Sequence, residues 1–182
     1  MPHRPIAALF AATLALAIPA PPTLATGAPP AAHCSAPVFR EFDFWLGDWD
    51  TYRVDKAGHT PPGAASVARN QITATLGGCV LHEVYRRTDG YTGESFTIYD
   101  ATRHLWHQSW VTNEGELLLA EGERQGKAIV LTGAVRDAQG TQLQRVSWTQ
   151  QGDGVRETAV QSRDNGKTWT PLFDILFRPH RP

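Results

Sequence analysis

The strongest constraint on what this chain can become is its punctuation. Between Asp48 and Arg178 it breaks into about ten short runs rich in β-branched and aromatic residues. The first five are DWDTYRVD, ASVARNQITATL, CVLHEVYRR, GESFTIYD and LWHQSWVT; ELLLAEGER, KAIVLTGAVRD, TQLQRVSWTQ, VRETAVQS and TWTPLFDILFR follow. Most of the breaks are turn formers: Gly77-Gly78, Asp89-Gly90, Gln125-Gly126, Gly152-Asp153-Gly154 and Asn165-Gly166 among them. Gly and Asn accept a positive φ, and Asp bonds its own turn, so each break reverses the chain tightly. No stretch keeps a 3.6-residue period over three turns. Parallel neighbours would need long crossovers, so consecutive strands pair antiparallel. A long meander hides its two edges by closing on itself. The expected fold is therefore all-β, an antiparallel up-and-down barrel of about ten strands. A two-sheet sandwich with Greek-key connections is the alternative.

The N-terminus stands apart from this pattern. Arg4 forms a short positive start, and IAALFAATLALAI follows. About 13 apolar residues are too few to span a bilayer and suit the core of a signal peptide. Thr23 and Ala25 are small residues placed for cleavage after Ala25. The expected organisation is a signal peptide over 1–25, a Pro/Ala-rich linker over 26–38, and one barrel domain over 39–182. That makes the protein exported, periplasmic or extracellular, with no integral membrane segment once the signal is removed. A formal net charge of −1 supplies no basic footprint for nucleic acid. In an oxidising compartment the two cysteines, Cys34 and Cys79, are expected to be bridged. A closed loop of about 46 residues would contribute roughly 4 kcal/mol in the chain-entropy picture.

Both ends of the domain carry closure devices. An aromatic lead-in, PVFREFDFWLG, is read as one helical turn before the first strand. Gly47 and Trp49 form a G-x-W at the start of that strand, where Trp49 can plug a narrow end. Arg178 ends the last strand, where its guanidinium can stack on Trp49 and donate to lead-in carbonyls. The G-x-W with a terminal basic residue resembles the calycins, the lipocalin-like superfamily. FDFWLGDWD, GGCVLHE, GYTGESFTIYD, LWHQSWV and DNGKTW…FD together resemble a bacterial family of exported lipocalin-like domains of unknown function. That resemblance implies the barrel and export, and carries no activity or catalytic residue.

The stretch SRDNGKTW, residues 162–169, has the S-x-D-x-G-x-T-W pattern of the Asp box, which recurs on the blades of sialidase-like propellers. It occurs once, and a propeller needs several blades of about 40–50 residues each. Asp164, Gly166 and Trp169 are read instead as a hairpin device. The Asp caps the turn, the Gly takes a positive φ, and the Trp packs beneath it.

Chemistry is sparsely signposted. There is no HExxH, GxSxG, P-loop or dinucleotide-binding glycine motif. His104 and His107 fall on opposite faces of a strand, so no metal pair is expected, and His180 sits in a Pro-flanked tail unsuited to a haem ligand. No cofactor is implied. What remains is strand parity. Trp106, Gln108 and Trp110 share a face, as do Glu83 with Tyr85 and Val146 with Trp148; Arg156 heads its own alternate set. Turned inward, these faces would line a cavity with aromatic walls and a few polar groups, the usual build of a small-molecule site. Glu83, Tyr85, Gln108, Trp110, Trp148 and Arg156 are the expected ligand contacts, with a Glu83–Arg156 pair in the empty barrel. The expected function is non-catalytic binding of a small amphipathic or apolar ligand. The alternatives are an enzyme using the interior, an isomerase or hydrolase, and a structural or protein-interaction module.

Overall fold

The structure is a computed structural model, and it describes residues 34–181 apart from Lys56. The expected signal segment and the linker up to residue 33 lie outside the described residues. Two 3₁₀ turns, Pro37–Arg40 and Asp43–Trp45, make up the aromatic lead-in. Ten strands follow: β1 (Gly47–Arg53), β2 (Ala68–Thr75), β3 (Val80–Arg87), β4 (Thr92–Asp100) and β5 (Leu105–Thr112), then β6 (Leu117–Gln125), β7 (Ala128–Asp137), β8 (Gly140–Gln151), β9 (Gly154–Ser162) and β10 (Thr170–Pro179). Each pairs antiparallel with its neighbours in sequence, and β10 returns to β1 to close the barrel. One continuous sheet rules out the sandwich. The turn residues set the registers: the two-residue Gly152-Asp153 turn places Gln151 opposite Gly154, and so Trp148 opposite Glu157.

One end of the barrel is filled by aromatics. Phe42 and Trp45 of the lead-in are fully buried and stack at 5.0 Å. Trp148 meets both, at 5.3 and 5.5 Å, and Trp106 meets Phe42 edge-on at 5.6 Å. Ile129, Leu131, Val155 and Phe177 complete this cluster. Such rings bury large areas and prefer these tilted and edge-on contacts. Trp49 joins them, and its indole N–H donates to the Trp45 carbonyl at 3.0 Å. Gly47, at φ +153°, lies directly under that indole; a Cβ there would approach the ring to 2.7 Å.

Two links pin this plug to the β2–β3 turn. Cys34 and Cys79 are disulfide-bonded, with Cα atoms 5.1 Å apart. The Arg40 guanidinium donates to the Gly78 carbonyl. The contact expected between Arg178 and Trp49 is not made. Arg178 pairs in register with Asp50, one residue past Trp49, and so faces outward. Its guanidinium lies 5.3 Å from the centre of the Tyr52 ring instead. Arg40 and Arg124, not Arg178, supply donors to carbonyls on this side of the barrel.

In the β9–β10 connection, Asp164 accepts from the Thr168 backbone N–H at 2.8 Å and its hydroxyl at 2.6 Å. Ser162 Oγ accepts from the Gly166 N–H at 2.8 Å, and the Trp169 indole donates to the Gly166 carbonyl at 3.0 Å. Gly166 has φ +83°, and the Arg145 guanidinium stacks 4.0 Å from the Trp169 ring. These bonds hold Asp164 at about 2, chiefly through the Thr168 hydroxyl.

Candidate functional site: an acidic, aromatic cavity at the open end

Away from the plug, the ends of β1, β3, β5 and β7, the starts of β6 and β10, the middle of β8 and Glu157 of β9 line a cavity of about 610 Å³. Alternation decides what it contains. On β3, β5 and β8 the inward positions carry Glu83 and Tyr85, Gln108 and Trp110, and Val146 and Trp148, and all six line the cavity. Trp148 belongs to the plug as well, so it forms the floor between the filled and open halves. Tyr85 and Trp110 meet edge-on with ring centres 6.2 Å apart. Nearer the mouth stand Arg53, Arg87, Tyr91, Glu116, Leu172 and Phe173.

Arg156 is not among the lining residues. On β9 the inward set is Val155, Glu157 and Ala159, and Arg156 turns to the other face, where it forms a two-pronged pair with Asp174 of β10 at 2.9 and 2.5 Å. The expected Glu83–Arg156 pair therefore does not exist. Glu157 occupies the interior position that parity had given to Arg156. The turn carried the missing information: the Gly152-Asp153 reversal puts residue 157 directly across from Trp148, and cross-strand partners share a face.

Glu83 is 5% exposed and fully hydrogen-bonded. Asn70 Nδ2 donates to Oε1 at 2.8 Å and Ser95 Oγ to Oε2 at 2.7 Å. Gln108 Nε2 extends the network to Thr97 Oγ1 at 3.1 Å and Ser95 Oγ at 3.4 Å. Burial pushes the Glu83 carboxyl up to about 7 against the pull of Ser95, Asn70 and His82. Glu157 is different. It stays partly reachable from the cavity although it lies deep within the protein. Desolvation first, then the negative charge of Glu83, raise it well above the ordinary carboxylate range. The Trp148 indole N–H lies close enough to oppose that rise, although Nε1 makes no hydrogen bond of proper geometry. Burial and the Glu157 charge also push the Tyr85 hydroxyl up to about 12.

Among the described residues, the histidines lie elsewhere. His82 meets Glu94 at 2.9 Å, His107 meets Glu121 at 2.9 Å, and His180 meets Asp50 at 3.0 Å; none lines the cavity. Among the described residues no group of His, Cys, Asp and Glu is placed to hold a metal ion, and no helix is long and apolar enough to cross a membrane. No family model matches the chain, and no curated protein matches it.

Proposed function

We propose that the barrel interior is a binding site for a small organic molecule with a substantial apolar part, in an exported protein of lipocalin-like fold. The observation that carries this is the cavity of about 610 Å³, in which the aromatic walls of Tyr85, Trp110 and Trp148 stand among polar and charged side chains such as Glu83, Gln108, Gln144 and Glu157. Its size is that of a small-molecule pocket, and its mixed lining suits a molecule with both an apolar and a polar part. The Cys34–Cys79 bridge supports an oxidising compartment, and the closed ten-strand meander with its G-x-W supports the calycin resemblance. Glu83, Tyr85, Gln108, Trp110 and Trp148 are the proposed contacts, joined by Glu157.

Intrinsic fluorescence titration against fatty acids, sterols, phenolics and sugars tests the reading. At least one class is expected to saturate the signal, and Trp110→Ala should weaken that binding by about tenfold, or ~1.4 kcal/mol, by removing an aromatic wall. Binding that ignores Trp110→Ala would place the site elsewhere. The paired carboxyls Glu83 and Glu157 favour a second reading, acid–base catalysis inside the barrel. Turnover of a bound compound that is lost in Glu83→Gln would establish it.

A further inference from the structure

The inner half of the cavity brings together two carboxyl groups with no countercharge among the described residues. Glu83 and Glu157 enter it from β3 and β9. No basic side chain comes with them. The cations among the described lining residues are Arg53 and Arg87, at the far ends of β1 and β3, and Arg87 is already paired with Asp89. His82, next to Glu83 in sequence, faces outward to Glu94. Asn70 and Ser95 donate to Glu83, but as neutral groups they spread its charge without cancelling it. Trp148 is 1% exposed, and its indole N–H stays unpartnered beside Glu157 in the cross-strand register. An ionised carboxylate in such a place needs a countercharge, and the described residues supply none there.

Building on the small-molecule reading above, we propose that the cavity selects an organic cation, an amine whose ammonium lies against Glu157 and Glu83 and whose apolar body lies on Tyr85 and Trp110. An ammonium carries only donors, and the two carboxylates offer acceptors for them. Once ionised by that partner, Glu157 is also a stronger acceptor for the Trp148 N–H. The aromatic faces add attraction for the same charge, strongest where water is excluded. An anionic ligand would meet carboxyl groups with no deep cation to receive it. A neutral ligand would leave the acid pair as it stands in the empty barrel.

Three indoles of nearly equal shape separate these cases: tryptamine is a cation, tryptophol is neutral and indole-3-acetate is an anion. Calorimetric titration of the mature protein at pH 7.5 should give tryptamine at least about tenfold tighter binding than tryptophol, with indole-3-acetate weakest. Glu157→Gln should erase that preference by weakening tryptamine and leaving tryptophol nearly unchanged. Equal or tighter binding of tryptophol or indole-3-acetate by the wild type overturns the proposal, and so does a preference that survives Glu157→Gln. The wild-type comparison needs no variant, so it stands if the substitution impairs folding. If no indole binds while another apolar compound does, cation selectivity falls and the small-molecule reading remains; if nothing from either panel binds, both fall.

Discussion

Arg156 and Glu157 are neighbours in the chain and face opposite sides of the sheet, so the chemistry of the interior turns on a single step of alternation. With Arg156 inward the cavity would hold an ion pair. With Glu157 inward its deep part holds the acids Glu83 and Glu157, and both keep their protons more firmly in the folded chain than in the unfolded one. The groups around them are Asn70, Ser95 and Tyr85 by Glu83, Trp148 by Glu157, and His82 behind the sheet. From the ordinary glutamate value of 4.5 up through about 7, the folded state binds more protons than the unfolded state. Stability contributed by the protonated pair is therefore lost as pH rises through that window. The outer carboxylates act in the other direction. Asp48, Asp100 and Asp137 are held below their ordinary value by Arg69, Arg103 and Arg163, so their contribution is lost in acid. Urea unfolding should find maximal stability at roughly pH 5 with a decline toward pH 8. Glu157→Gln should flatten that decline. Stability that climbs steadily from pH 5 to 8 would contradict the burial of the pair.

Among the elements, the β9–β10 hairpin shows how a motif known from sugar-cleaving propellers serves a barrel. Its donors and acceptors are spent within the turn: Asp164 on Thr168, Ser162 on Gly166, and the Trp169 indole on the Gly166 carbonyl. The arrangement leaves no nucleophile pointing at the cavity, and none of Ser162, Asp164 and Trp169 lines it. Asp164→Ala should lower the melting temperature, because two hydrogen bonds to Thr168 are lost, while ligand affinity per folded molecule stays as in the wild type. Thermal melts and the fluorescence titration measured on the same sample check both halves. Abolished binding with an unchanged melt would mean that the hairpin, not the cavity, carries the function.

At the scale of the whole molecule, the barrel divides into a filled end and an open one. The lead-in aromatics Phe42 and Trp45 occupy the first, and the Cys34–Cys79 bridge ties their segment to the β2–β3 turn. The filled end thus sets the floor, and the cavity opens at the other end. Replacing both cysteines by serine should reduce stability by at most roughly 4 kcal/mol, through the freer unfolded chain and a looser plug. Urea unfolding of the double variant gives the size, and thiol labelling of the wild type made under oxidising conditions should find no free thiol. Retained binding in the double variant is expected, since the bridge lies at the filled end, opposite the cavity.

Strand number, pairing order and closure were legible in the chain, because they rest on local chemistry. Turn residues with a positive φ, such as Gly77, Gly126 and Gly152, punctuate alternating runs, and connections of a few residues admit only antiparallel neighbours. The grouping of the candidate cavity residues was legible for the same reason, since a period of two places Glu83 with Tyr85 and Gln108 with Trp110 whatever the rest of the molecule does. Parity says which residues travel together and not which way they face. Facing was decided by registers that run around the closed barrel, and these sent Glu157 inward with Trp148 and Arg156 outward to Asp174. They likewise turned Arg178 away from Trp49, because it pairs with Asp50. The raised carboxyls needed more still. Their desolvation comes from burial inside the closed barrel, a property of enclosure that no single stretch of sequence contains.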